Sequence, residues 1–184
     1  MMSRTYRKIY GGALILTLAV LLTGCSGNIL PGVGNDPPKL YVLTPKNTFS
    51  NKLPKVDWQL TIAFPIADAA LNTARIALRH SPISLEYYAR ASWVDTAPQM
   101  IQTLLVESYE NTGKIVSIGR QSVTLRADYS LLTDLREFQA EYIGEGPPRV
   151  RVRLNAKMVR MPQRTILATE TFEFIEPAAS SGLE

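Results

Sequence analysis

The thiol of Cys25 is the only sulfhydryl among the 184 residues of the chain. It follows Leu22-Thr23-Gly24, and a small residue in front of a cysteine lets a peptidase close on the backbone at that point. The four residues read as a lipobox, in which the sulfur carries a diacylglyceryl thioether and the freed amino group a further acyl chain. Upstream stand Arg4, Arg7 and Lys8, then a mostly apolar run from Ala13 to Leu22 interrupted only by Thr17. This is the layout of a secretory signal. The run is shorter than the ~20 residues that a membrane-crossing helix needs, so cleavage and anchoring are expected in place of a permanent span. Two acyl chains on sulfur and one on the new amino terminus exceed the two signals that stable attachment requires. Ser26 occupies the place where an aspartate would favour inner-membrane retention, so the expected location is the outer membrane, lipid-anchored and facing the periplasm.

Other residue types that could do chemistry are sparse. His80 is the only histidine, and with no second thiol a zinc site lacks the several nitrogen, sulfur or carboxylate ligands it needs. A serine triad would have to use that same histidine, and no G-x-S-x-G elbow accompanies any serine. The glycines form neither a phosphate loop nor a dinucleotide fingerprint. The chain is therefore expected to be no enzyme and to hold no cofactor or metal; any ATPase activity belongs to a separate chain.

Two clusters have the chemistry of contact surfaces. Tyr87, Tyr88 and Trp93 stand together, and such rings either fill a core where strand meets helix or present apolar bodies with polar tips to an acyl chain or partner. Arg149, Arg151 and Arg153 lie on one side of a strand at steps of ~6.5–7 Å. Three aligned cations either meet anionic headgroups or an acidic partner, or guard a solvated strand edge against pairing.

Charge adds little. The chain has 20 Lys plus Arg against 16 Asp plus Glu, and the signal at 1–24 contains three of the basic residues, leaving 17 against 16 after cleavage. That near balance gives no reason to expect nucleic-acid binding. The remaining 160 residues suit one domain, and with Cys25 acylated no disulfide is available to staple it.

The elements that must position these clusters follow a tether over 25–38, whose Gly- and Pro-rich stretch SGNILPGVGNDPP reaches roughly 40–45 Å when fully extended. A folded domain is expected over 39–176 and a frayed, disordered tail over 177–184. Strands are expected at Lys39 to Thr44 and at Trp58 to Phe64, the latter bracketed by Pro54 and Pro65 with Trp58, Leu60, Ile62 and Phe64 on its apolar face. Ala67 to Asn72 suits a turn of helix. Arg75 to Leu78 and Ser84 to Ala89 suit a hairpin turning at His80-Ser81-Pro82.

The clearest helix spans Ala97 to Thr112, with Thr96 and Gln99 placed as a capping box, Pro98 in the first turn, and Met100, Ile101, Leu104, Leu105 and Ser108 as its stripe. Gly113 ends it. Ile115 to Gly119 continues as a strand. Ala127 to Tyr142 is long, and because Asp134 and Arg136 share the parity of its apolar residues, an edge or a bulge is expected. Arg149 to Met158 alternates as a half-buried strand, and Met161 to Arg164 turns it into a partner over Thr165 to Phe174 with Phe172 and Phe174 facing one way.

In order, the lipobox, KLYVLTP, LNTARIALR from Leu71, EYYARASWVDTAPQMIQTLL from Glu86 and ADYSLLTDLREFQAEY from Ala127 resemble the ABC-type transport auxiliary lipoprotein family, of the PqiC-like group that accompanies mammalian-cell-entry lipid transporters. The resemblance implies an α+β fold, a mixed or antiparallel sheet with helices on one face. It also implies partners: a mammalian-cell-entry substrate-binding protein, an ABC permease and ATPase, and the membrane itself through the lipid anchor. The family's usual amphipathic helix after the final strand has no counterpart before Glu184, so an uncovered apolar face is expected, and either further copies pack there in a homo-oligomer or the fold is less stable than its relatives. Beside this reading stands another for a lipoprotein of this size, an activator or assembly factor of a different envelope machine such as a cell-wall synthase or secretion pore.

Overall fold

In a computed structural model, residues 37–121, 126–180 and 182–183 are described; Cys25, the signal and the tether up to residue 36 lie outside them. The strands are β1 (Lys39–Tyr41), β2 (Gln59–Ile62), β3 (Ile66–Ala67), β4 (Arg75–Arg79), β5 (Glu86–Trp93), β6 (Ser117–Arg120), β7 (Tyr129–Glu141), β8 (Arg149–Arg160) and β9 (Thr165–Pro177). One helix, α1 (Ala97–Asn111), is present among the described residues. All nine strands join one mixed sheet, and the architecture is α+β.

β7 organises the sheet. Along one side it pairs in parallel with β2 (Leu60 with Tyr129), then β3 (Ala67 with Leu135), then β4 (Leu78 with Ala140). Along its other side runs β8, antiparallel, with β9 beyond. The expected irregularity in β7 is a bulge: Leu135 pairs with Leu154 and Glu137 with Arg153, leaving Arg136 as the extra residue. β7 is an interior strand, and its backbone is satisfied from both sides.

β2 shows why an interior strand breaks simple alternation. Leu60 and Ile62 are fully buried, but Thr61 between them is buried as well. Phe64, expected on the same face, lies past the strand end and is half exposed. The helical turn expected over Ala67 to Asn72 is instead the end of β3 followed by a turn in which the Asp68 carbonyl accepts from the N–H groups of Leu71 and Asn72. The hairpin of β4 and β5 is formed as expected, with Ala77 opposite Tyr87.

The helix packs Ala97 and Ile101 into a cluster with Leu71, Ala77 and Leu135, and Val106 into a second with Leu60, Ile62 and Leu131. Thr96 has the extended backbone of an N-cap, yet its side chain makes no capping bond. Other features of the first turn limit the unmet donors: the Ala97 N–H donates to the Thr73 carbonyl, and Pro98 has no N–H to satisfy. Leu104, Leu105 and Ser108 are only partly buried. The chain between β1 and β2 reaches this flank of the helix: the Lys46 N–H donates to Ser108 Oγ at 3.0 Å and Asn111 Nδ2 donates to the Lys46 carbonyl at 3.0 Å. Gly113, at φ +61°, turns the chain out of the helix.

The C-terminal residues expected to fray make two anchoring contacts. The Ala178 N–H donates to the Pro148 carbonyl at 2.8 Å, and Tyr41 Oη donates to the Leu183 carbonyl at 2.6 Å.

Candidate functional site

The aromatic cluster is divided by the strand that carries it. Tyr87 and Tyr88 are neighbours on β5 and point to opposite sides. Tyr87 packs against the cluster of Leu71, Ala77 and Ile101, donates from its hydroxyl to the Ala70 carbonyl at 2.9 Å, and lies under the Arg75 guanidinium at 3.6 Å from the ring centre. It is a core residue with a satisfied tip.

Tyr88 and Trp93 instead line one cleft, with Ile76, Phe138, Val150 and Val152. Five steps separate the two on β5, which in a regular strand would put them on opposite sides. The strand is not regular: from Tyr87 to Ser92 it advances five residues while β4 retreats two, from Ala77 to Arg75, and Arg90 absorbs the excess at φ +54°. The bulge turns Trp93 back to the side of Tyr88. Its ring then meets Phe138 at 5.3 Å between centroids. The cleft measures about 220 Å³, below the ~300–1,000 Å³ of sites that enclose drug-sized ligands, so it suits a side chain or the end of an acyl chain and not a whole lipid.

Burial, and then the neighbouring hydroxyl of Tyr142, push the Tyr88 phenol upward from its ordinary value. His80 stacks on the Tyr142 ring at 4.8 Å, beside the Ser81 and Ser84 hydroxyls, which lie 2.8 Å apart.

The arginine stripe is not a uniform positive surface. Arg151 Nε lies 2.9 Å and Arg153 Nε 3.0 Å from Glu137 Oε2, Arg79 approaches the other oxygen of Glu137 at 3.9 Å, and Arg151 also reaches Glu141 and Glu173. Neither Nε–H is aimed at Glu137 Oε2, so those two are close charge contacts and not directed hydrogen bonds. Hydrogen bonding to Glu173 raises the Arg151 guanidinium further above its already high range. Three arginines thus face three glutamates. Arg149 is exposed and makes no ion pair among the described residues.

Glu137 and Glu141 were not legible as site residues in isolation. The signal that finds them is register: glutamates four apart on β7 run antiparallel to Arg149-x-Arg151-x-Arg153 on β8, which places opposite charges across the ladder.

Against known proteins, the model of the ABC-type transport auxiliary lipoprotein component matches residues 41–184. The chain belongs to this family. The match covers the whole sheet from the end of β1 onward. A crystal structure of a Xanthomonas campestris protein of family DUF330 is similar at 32% identity and a TM-score of 0.74, over 78% of this chain and 81% of that one. Another solved structure, of an uncharacterised protein, shares the fold at 16% identity and a TM-score of 0.60, over 80% and 84% of the two chains. An uncharacterised protein of Bradyrhizobium diazoefficiens is 32% identical over 127 residues, which are 66% of this chain and 34% of the relative; the chain therefore spans about a third of its length.

Proposed function

We propose that this family member works without catalysis, as a docking component held at the periplasmic side of the outer membrane by acylated Cys25. Its partners in this reading are a mammalian-cell-entry substrate-binding protein and the ABC permease and ATPase that energise it. The observation that carries the proposal is the family match across 41–184, which takes in all of the sheet beyond the first strand. The charge geometry supports a protein partner over a lipid surface: two of the three arginines that would meet anionic headgroups, Arg151 and Arg153, already face Glu137, Glu141 and Glu173. The cleft of Tyr88 and Trp93, with room for one side chain, has the scale of a protein anchor pocket.

The test is a pull-down of the full chain from crosslinked membranes, with mass spectrometry of the captured proteins and lipids. Recovery of a mammalian-cell-entry protein and a permease is expected. Recovery of a cell-wall synthase or secretion pore in their place would transfer the chain to the other class of envelope machine.

A further inference from the structure

Arg120 is the last residue of β6 and stands apart from the arginines that face Glu137, Glu141 and Glu173. It is partly buried; Nη2 donates to Thr103 Oγ1 at 3.0 Å, and Nε is shut off from solvent with no acceptor. Among the described residues no carboxylate lies within ion-pairing distance of it. Withdrawing a guanidinium from water without a counter-charge is costly, and such groups are usually paired. The chain that follows carries no acid to pair with it, for residues 122–125 read Ser-Val-Thr-Leu.

The group lines a basin of about 490 Å³ together with Phe64, Gln99, Gln102 and Gln121. β2 and β6 run parallel with Ile62 opposite Arg120, so the carboxyl ends of both strands open on it, and the first half of α1 brings in Gln99 and Gln102. Gln102 is fixed in place, its Nε2 donating to the Ile62 carbonyl at 3.0 Å, and the Gln121 N–H donates to the same carbonyl at 3.3 Å. No acid lines the basin, and α1 has none in its first turn to offset the positive end of the helix dipole. Asp95, the acid just before the helix, accepts from the Thr96 N–H at 2.7 Å and is not part of the lining.

We propose that this basin binds a phosphate group, with Arg120 as its charged anchor and the side-chain amides of Gln99 and Gln121 as further donors. A guanidinium presents its N–H donors in a planar fork that matches phosphate oxygens, and here Thr103 takes up one of them. The fork and the two amides together offer more donors than the roughly four lone-pair sites of a carboxylate can accept, and suit the larger oxygen set of a phosphate. The basin also has room for a substituent on that phosphate, and Phe64, half exposed past the end of β2, gives the substituent an apolar surface. The site shares no residue with the cleft of Tyr88 and Trp93 and is independent of which transport machine the protein serves.

The experiment is isothermal titration calorimetry on the full chain in a nonionic detergent at low ionic strength. The probes are inorganic phosphate, acetate and glycerophosphoglycerol, the phosphodiester headgroup of phosphatidylglycerol. Both phosphates are expected to bind about tenfold or more tightly than acetate. Arg120→Gln is expected to weaken them by about tenfold or more, and Gln99→Glu, which sets a carboxylate on the lining and keeps the guanidinium, by a similar factor. Arg149→Gln, at an exposed arginine outside the basin, is expected to leave both affinities unchanged, with circular dichroism verifying that each variant is folded. Tighter binding of glycerophosphoglycerol would identify a lipid headgroup as the source of the phosphate, and tighter binding of inorganic phosphate a free ion, each in agreement with the proposal. No binding of either phosphate up to about 50 mM, acetate bound as tightly as phosphate, or equal losses in Arg120→Gln and Arg149→Gln would each overturn it.

Discussion

The hydroxyls of Tyr88 and Tyr142 lie 2.9 Å apart, joining β5 to the residue that follows β7 across 54 positions of sequence. Burial and this neighbour hold the Tyr88 phenol above its ordinary value of 10.0, and burial raises Tyr109 in the same direction. The folded state therefore keeps these protons longer than the unfolded chain does. Stability from this source is complete below about pH 10 and is lost as pH rises above it, where unfolding releases protons. Thermal melts should be flat on this account up to pH 10 and then fall. The Tyr88→Phe variant should fall less steeply, and a slope equal to that of the parent would remove Tyr88 as a source.

Leu135 is 1% exposed, sits beside the β7 bulge and touches the helix cluster. Leu135→Ala should cost about 2–5 kcal/mol by urea denaturation. Leu40→Ala, on a side chain 64% exposed, should cost no more than ~0.5 kcal/mol.

Arg151 and Arg149 share a strand and a parity but not a role. Arg151→Ala leaves Glu137, Glu141 and Glu173 with less compensation and should destabilise by about 1 kcal/mol, the charge contacts being partly solvated. Arg149→Ala should leave the melt within error. If both variants melt alike, the network contributes nothing measurable.

Cys25→Ser forbids a thioether. Fractionation of cells expressing this variant should move the protein from the membrane pellet to the soluble envelope fraction, and metabolic labelling with a fatty acid should be lost. Membrane retention of the unlabelled variant would mean that another contact holds it there.

Much of the architecture was legible in the sequence, for identifiable reasons. Prolines bracket β2, a regular alternation marks β8, and the register of the β8 and β9 hairpin follows from its short turn. The helix start was visible through Pro98, though the Thr96 side chain makes no capping bond; the contact of the Ala97 N–H with the distant Thr73 carbonyl is one that local sequence cannot show. Parity places Phe64 on the apolar face of β2, but parity stops where a strand stops. The aromatic site was legible as composition and not as geometry. That Tyr87 and Tyr88 part while Trp93 rejoins Tyr88 depends on a bulge at Arg90, a residue type that does not announce a positive φ. The arginines were legible as a row, and their neutralisation was not, because it requires pairing two strands in a particular register.

The position of β7 bears on how the molecule is made. β2, β3 and β4 all wait for partners that lie roughly sixty to seventy residues further along the chain. Until residues 129–141 emerge, a growing polypeptide has sheet edges and no spine to receive them. Such a topology delays the onset of folding until late in synthesis or export, and an escort that shields apolar segments during that interval would raise the yield of native protein more than any strengthening of the early strands.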